Sequence, residues 1–199
     1  RLQYPSNMLL AANAIEISSK QNIGPFRQRT YEFTGESLAF VAGDKLQRRL
    51  VKQGEYYLEV VFRSADFLKL VEPMLDVINY HSELFGKFPF KKLTVVESSE
   101  LENSEVPGMI VINQPKTAAS TGAQQFFTNW TVWQMAYFAA EQWNGAAIKY
   151  ISMDDYWYFK GVNDFATYRA LKRVKEGYDF FRAYDNNPPP FTFNYRQNQ

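Results

Sequence analysis

The chain has 199 residues, 22 Lys and Arg against 21 Asp and Glu, a net charge of +1 and no cysteine. Near-neutral charge with no basic run longer than a Lys-Arg pair argues against nucleic acid, and without Cys neither disulfides nor thiolate metal sites can form. No apolar run reaches the ~18 residues of a membrane span, and Arg1-Leu-Gln-Tyr4 lacks the shape of a signal peptide.

The length suits one large domain or two small ones. Residues 9–63 read as β. Arg27–Phe33 alternates toward its end, Ser37–Ala42 is a short apolar run closed by Gly43-Asp44, and Gly54–Phe62 is dense in aromatic and β-branched residues. Turn signals at Gly24-Pro25, Thr34-Gly35, Gly43-Asp44 and Gln53-Gly54 predict antiparallel hairpins. At Ser64-Ala-Asp66 the period changes. Leu70, Met74, Val77, Ile78, Leu84 and Phe85 recur at helical spacing up to Gly86, and Pro73 inside that run marks a kink or a later start.

Lys92–Glu97 and Met109–Asn113 read as short buried strands, and Thr117–Gly122 as a small-residue loop. A long helix follows from about Gln124 to Trp143, with a turn at Asn144-Gly145. A second helix, beginning near Asp154 or Asp164 and ending near Tyr184, precedes the stop Asp185–Pro190. The fold class is therefore α+β: a β-rich segment over residues 1–65, then a mixed α/β part over 66–199. Both ends read as cut, so the chain is expected to be a segment of something longer.

The stretch Tyr137-Phe-Ala-Ala-Glu141-Gln-Trp-Asn-Gly145 resembles a zinc-protease helix stripped of its chemistry. In H-E-x-x-H two imidazoles one turn apart bind Zn²⁺ and the intervening Glu serves as base. Here Tyr137, Phe138 and Glu141 stand at those three positions. The chain has one histidine, His81, so it cannot supply a two-histidine site.

Three segments in order resemble the aminopeptidase N family of gluzincin zinc metallopeptidases. Tyr80-His-Ser-Glu-Leu-Phe-Gly-Lys-Phe-Pro-Phe90 is similar to the phrase Y-x-E-L-F-G-K-Y-P-[YF]. Glu102-Asn-Ser-Glu105-Val-Pro-Gly-Met-Ile-Val111 stands in place of G-A-M-E-N and its P-G-L-I continuation. Tyr137–Gly145 stands in place of H-E-L-A-H-Q-W-F-G and keeps Gln142, Trp143 and Gly145. Upstream, Ala39-Phe-Val-Ala-Gly-Asp44 is similar to the close of the family's N-terminal β domain, so the resemblance spans about residues 9–184. It implies the end of that β domain followed by part of a thermolysin-like catalytic-type domain.

In the family the third zinc ligand is a Glu in W-L-x-E-G, and its spacing from the second His falls here on Lys160, between Trp157 and Gly161. A competing register, with a three-residue insertion, aligns Asn163–Tyr168 with E-G-F-A-T-Y and puts Asn163 at that position. Neither restores the carboxylate. Lys160 could pair with Glu141 in place of the metal, or both charges could face solvent. Phe138 cannot accept a proton. Glu105 is retained, and in the family that Glu helps to bind the substrate's free α-amino group; an ordinary polar loop residue is the alternative.

The resemblance thus implies a degenerate member without metal or cofactor, a pseudopeptidase serving as a protein- or peptide-binding scaffold. Such modules also occur in larger membrane-associated proteins of bacteria, which favours an extracytoplasmic or membrane-associated place. The alternative is a peptidase or other hydrolase that uses non-zinc residues, or a site completed by a further segment or partner chain. His81 reads as a surface or interfacial residue, and Asn129-Trp-Thr131 as a sequon discounted by its helical context. The Trp130, Trp133, Tyr137 and Trp143 series reads as helix packing on a β layer, with a ring-lined groove as the alternative.

Overall fold

The computed structural model describes residues 1–33, 37–114 and 121–174; for 20–23 and 121–129 only the backbone is described. The turn signal at Thr34-Gly35, most of the Thr117–Gly122 loop, the helix end near Tyr184 and the stop at Asp185–Pro190 lie outside those residues.

Strands β1 (Leu2–Pro5), β4 (Phe26–Glu32) and β3 (Ile15–Ile23) form an antiparallel sheet in that order, and β2 (Met8–Ala12) pairs antiparallel with β5 (Phe40–Asp44). A five-stranded sheet runs β6 (Gln47–Gln53), β7 (Tyr56–Phe62), β8 (Lys92–Ser98), β10 (Met109–Asn113), β9 (Ser104–Val106). Its middle pairs, β7 with β8 and β8 with β10, are parallel; its edges, β6 and β9, are antiparallel. The hairpins anticipated at Gly24-Pro25 and Gln53-Gly54 are β3–β4 and β6–β7.

The large sheet continues across residue 65. The change seen there in the sequence is from strands to helices, while β6 and β7 remain hydrogen-bonded members of the sheet that β8 and β10 complete. Parallel strands are covered on both faces, which explains their unbroken apolar runs. Leu58, Val60, Leu93, Val95, Ile110 and Ile112 enter the main core with the helices. Val61, Val96, Met109 and Val111 pack with Ala11 of β2 on the opposite face.

Helices α1 (Ala65–Val71) and α2 (Met74–Phe85) are the interrupted run predicted around Pro73. The Ser64 hydroxyl caps α1 by accepting from the Phe67 N–H. Pro73 supplies no N–H and stands as the N-cap of α2. Helix α3 (Thr121–Glu141) carries the 137–141 positions, and α4 (Tyr156–Val174) packs on both α2 and α3. Among the described residues no helix is long and apolar enough to cross a membrane.

His81 is not at the surface. It is fully buried where α2 meets α3, its ring beside Phe85 and Trp143. Nε2 lies 3.2 Å from the Ala136 carbonyl, which can only accept, so the proton sits on Nε2. Helical spacing alone cannot show this, because an apolar stripe tolerates one neutral imidazole whose donor finds a carbonyl.

Burial lowers the imidazole pKa to about 4, the Ala136 hydrogen bond opposing the shift. The unfolded chain, with its imidazole near 6.5, therefore takes up a proton that the folded chain refuses. Stability from this group is present above pH ~6.5 and is lost as pH falls toward 4, by about 3 kcal/mol in all. In urea titrations at pH 7, 6 and 5, His81→Gln, which keeps a donor near Nε2, should close its stability gap to the parent by ~1 kcal/mol per pH unit below 6. A gap that stays constant would show that His81 does not set this slope.

Candidate functional site

The edge strand β9 and helix α3 face each other across one hydrogen-bonded side chain. Gln142 is fully buried just past the end of α3. Its Oε1 accepts from the Gly108 N–H at 2.7 Å, and its Nε2 lies 3.3 Å from the Val106 carbonyl and 3.5 Å from Glu105 Oε2. Gly108 belongs to the Pro107-Gly108 turn between β9 and β10, with φ +75°, and a Cβ there would meet the Lys92 carbonyl at 3.1 Å. A left-handed residue with no room for a side chain must be glycine. The turn thus fixes β9, and Gln142 ties that strand to α3.

Glu105 lies in β9, opposite Ile110 in the register. It is half-buried, and burial raises its pKa. Glu141, at the C-terminal end of α3, is raised to about 8, first by burial and then by the negative charge of Glu105. The Tyr137 hydroxyl, one turn earlier, works in the other direction, as does the Lys160 ammonium. Burial, and next the Glu141 charge, keep the Tyr137 phenol strongly protonated. At neutral pH the phenol stands beside a largely protonated carboxyl group.

Lys160, on the first turns of α4, does not form the ion pair considered with Glu141. Its Nζ lies 3.3 Å from Asp164 Oδ2, one turn along the same helix, and 5.0 Å from the centre of the Tyr137 ring. An i,i+4 carboxylate is reached without spanning two helices, and the ring face offers a second favourable seat for the cation. Glu141 feels the ammonium only through space. Asn163, the other residue considered for that position, is buried and points elsewhere: its Nδ2 donates to the Asn144 carbonyl at 2.9 Å and its Oδ1 accepts from Asn144 Nδ2 at 3.3 Å. Asp164 and Tyr156 are further members of this cluster that the sequence reading missed; both feel its charges and both have raised pKa values, chiefly from burial.

The tryptophan series divides. Trp130, Trp133 and Tyr137 stack in a ladder with successive centroids 5.1 Å apart, and Trp133 and Tyr137 are buried. Trp143 turns away, donating from Nε1 to the Gly86 and Lys87 carbonyls and packing edge-on against Phe88. The four rings therefore line no common groove. Phe138 is partly buried against the main core. The sequon at Asn129 falls within α3, and its side chain is outside the described residues. A separate open cleft of about 390 Å³, between the β6–β7 turn and residues 87–91, shares no lining residue with this cluster.

No family model matches the sequence, and no curated protein matches it. Among solved structures, the chain is similar to a crystal structure of a two-domain M1 zinc metallopeptidase, a point mutant bound to L-arginine. The TM-score is 0.64 at 15% identity, over 87% of this chain and 40% of that one. The likeness is one of fold, mixed α+β, and the chain spans well under half the length of that neighbour. A peptidase zinc of this type takes three N/O ligands around an open position. Among the described residues no three His, Cys, Asp or Glu side chains are grouped to hold a metal. Here a phenol stands beside a largely protonated carboxyl group, with an ammonium seated over the ring. These residues do not fit the ion.

Proposed function

We propose that this chain is a catalytically inactive module of the aminopeptidase fold that binds a cationic group of a protein or peptide partner at Glu105 and Glu141. The observation that carries the reading is Lys160 seated over the Tyr137 ring, with Glu141 one turn further along α3. At the positions where the resemblance expects metal ligands, it is a side-chain network that needs no metal. Lys160 takes the third-ligand position in this reading, because Asn163 is committed to Asn144. The partner is another protein, or another part of a longer and membrane-associated chain.

Two partly buried carboxylates, one of which is harder to ionise beside the other's charge, gain most from a ligand that brings a positive charge. A lysine-type ammonium stays charged to pH ~10, whereas Glu141 becomes ionised only as pH rises through about 8. Binding of a Lys-bearing peptide should therefore tighten about tenfold from pH 7 to 9, and Glu141→Gln should remove that pH dependence. Calorimetry with a Lys-bearing peptide and its Nε-acetylated form tests this, beside zinc content after repletion and hydrolysis of aminoacyl anilides. Stoichiometric zinc, or hydrolysis, would overturn the reading.

One feature favours a second reading, a hydrolase using non-zinc residues: a carboxyl group near pH 8 beside a second carboxylate is the usual form of an acid–base pair. That reading requires metal-independent turnover of a hydrolysable substrate, lost in Glu141→Gln. The same chelated protein in the same assay decides between them.

A further inference from the structure

The face of α4 opposite its packing surface is apolar and open. Asn163, Ala166, Thr167, Ala170 and Leu171 are its buried positions. On the other side Trp157 is 67% exposed and Phe165 is 62% exposed. Gly161 lies midway between them, and a Cβ there would meet nothing within 4 Å. Ile151 and Met153 of the preceding segment are 98% and 72% exposed, and Tyr158 is 57% exposed. Taking about 150–250 Å² for a large side chain, these five present roughly 700 Å². A monomer's largest patch is typically about 300–600 Å², and a standard interface buries ~800 Å² on each partner.

We infer that this face binds a second copy of the chain, with the two α4 helices antiparallel about a two-fold axis at Gly161. The arrangement is written in the spacing. Trp157 precedes the glycine by one turn and Phe165 follows it by one turn, so in an antiparallel pair each Trp157 meets the other copy's Phe165. Gly161 allows the backbones to approach, since no side chain separates them. The charges are self-complementary too. Asp154 and Asp155 are exposed before the first turn of α4, and Arg169 and Lys172 are exposed in its last turns. The two-fold axis brings the acidic end of each helix beside the basic end of its mate, as an isologous contact requires. Arg169 already lies over the Phe165 ring at 5.9 Å, so its guanidinium is held at the rim of the apolar centre. This inference is independent of what binds at Glu105 and Glu141.

The chain has no cysteine, so a single one reports cleanly. Gly161→Cys should form a disulfide-linked dimer under mild oxidant, while Lys52→Cys, exposed on β6, should remain monomeric. In sedimentation velocity the parent should dimerise with concentration between ~1 and ~100 μM, and Phe165→Glu should weaken this at least tenfold. Asp155→Arg should also weaken it, and adding Arg169→Asp should recover most of the loss. Circular dichroism of each variant confirms folding. A parent that stays monomeric throughout the range overturns the inference. So does a dimer that Phe165→Glu leaves intact and Gly161→Cys does not cross-link.

Discussion

Replacing Glu59 with Gln should lower the stability of the fold by about 3 kcal/mol, because it strands a buried ammonium. Glu59 sits in β7 with 4% of its side chain exposed. Its carboxylate receives Lys92 Nζ at 2.9 Å, Arg48 Nε at 2.9 Å and the Thr94 hydroxyl at 3.0 Å. Lys92 is 10% exposed and cannot find water in exchange, whereas Arg48 is 28% exposed and can. The cost should therefore fall on Lys92 and stay near the low end of the ~3–5 kcal/mol for a broken buried pair. Arg48 also donates to the Leu10 carbonyl at 2.9 Å and lies 3.7 Å from Glu16. The cluster thus fastens the large sheet to β2 and β3, so the N-terminal strands should loosen first. Hydrogen exchange would show earlier opening of β2 in Glu59→Gln, and urea unfolding would give the total. The double variant Glu59→Leu, Lys92→Met should regain at least half the loss, since two apolar side chains leave no unpaired charge. A loss below ~1 kcal/mol, or one abolished by 1 M salt, would mean that the cluster is hydrated and screened like a surface pair.

That cluster also shows where sequence reading stops. Gly54–Phe62, Lys92–Glu97 and Met109–Asn113 read as strands and fall on β7, β8 and β10, and Pro73, read as a kink or a later start, stands between α1 and α2. Periodicity carries such information because one side chain in two, or one in 3.6, must meet the core. It carries none about which strands pair across the chain. The parallel neighbours β7 and β8 are joined by α1 and α2, and only the fold shows that the sheet spans residue 65.

The candidate-site positions were named by a resemblance alone. Tyr137, Glu141 and Glu105 lie near one another, since Glu141 feels the charge of Glu105 and the Tyr137 phenol. Asp164 and Gln142 were not singled out as site members because their roles are geometric. Asp164 takes Lys160 because it lies one turn along α4, and Gln142 is held to β9 and its turn by the Val106 carbonyl and the Gly108 N–H. His81, read as a surface or interfacial residue, is buried for a similar reason: rings of α2 and Trp143 pack around it and a carbonyl on α3 takes its N–H. Trp157, a ring matched to a family flank, stands in the open.

The variant Tyr137→His, Phe138→Glu, Glu141→His, Lys160→Glu should retain one zinc per chain after gel filtration, where the parent retains none. Positions 137, 138 and 141 lie on one regular helix, and its i,i+4 pair sets two imidazoles one turn apart. The third position is the test of register. Lys160 already lies over the Tyr137 ring, so a carboxylate at 160 is placed to complete a three-ligand set, which tetrahedral zinc requires beside water. The comparison variant puts the carboxylate at Asn163 instead and leaves Lys160 in place. It should bind zinc about a hundredfold more weakly, or ~3 kcal/mol, because residue 163 faces Asn144 and an ammonium stays beside the ligands. Removing Asn163 also breaks two hydrogen bonds, so that variant should lose stability even without metal. Zinc content and the zinc-dependent rise in Tm separate the two, since a ligand bound only by the folded state raises Tm with its free concentration. Equal zinc binding by both variants, or tighter binding by the Asn163 variant, would place the third-ligand position at 163 and remove Lys160 from the proposed network.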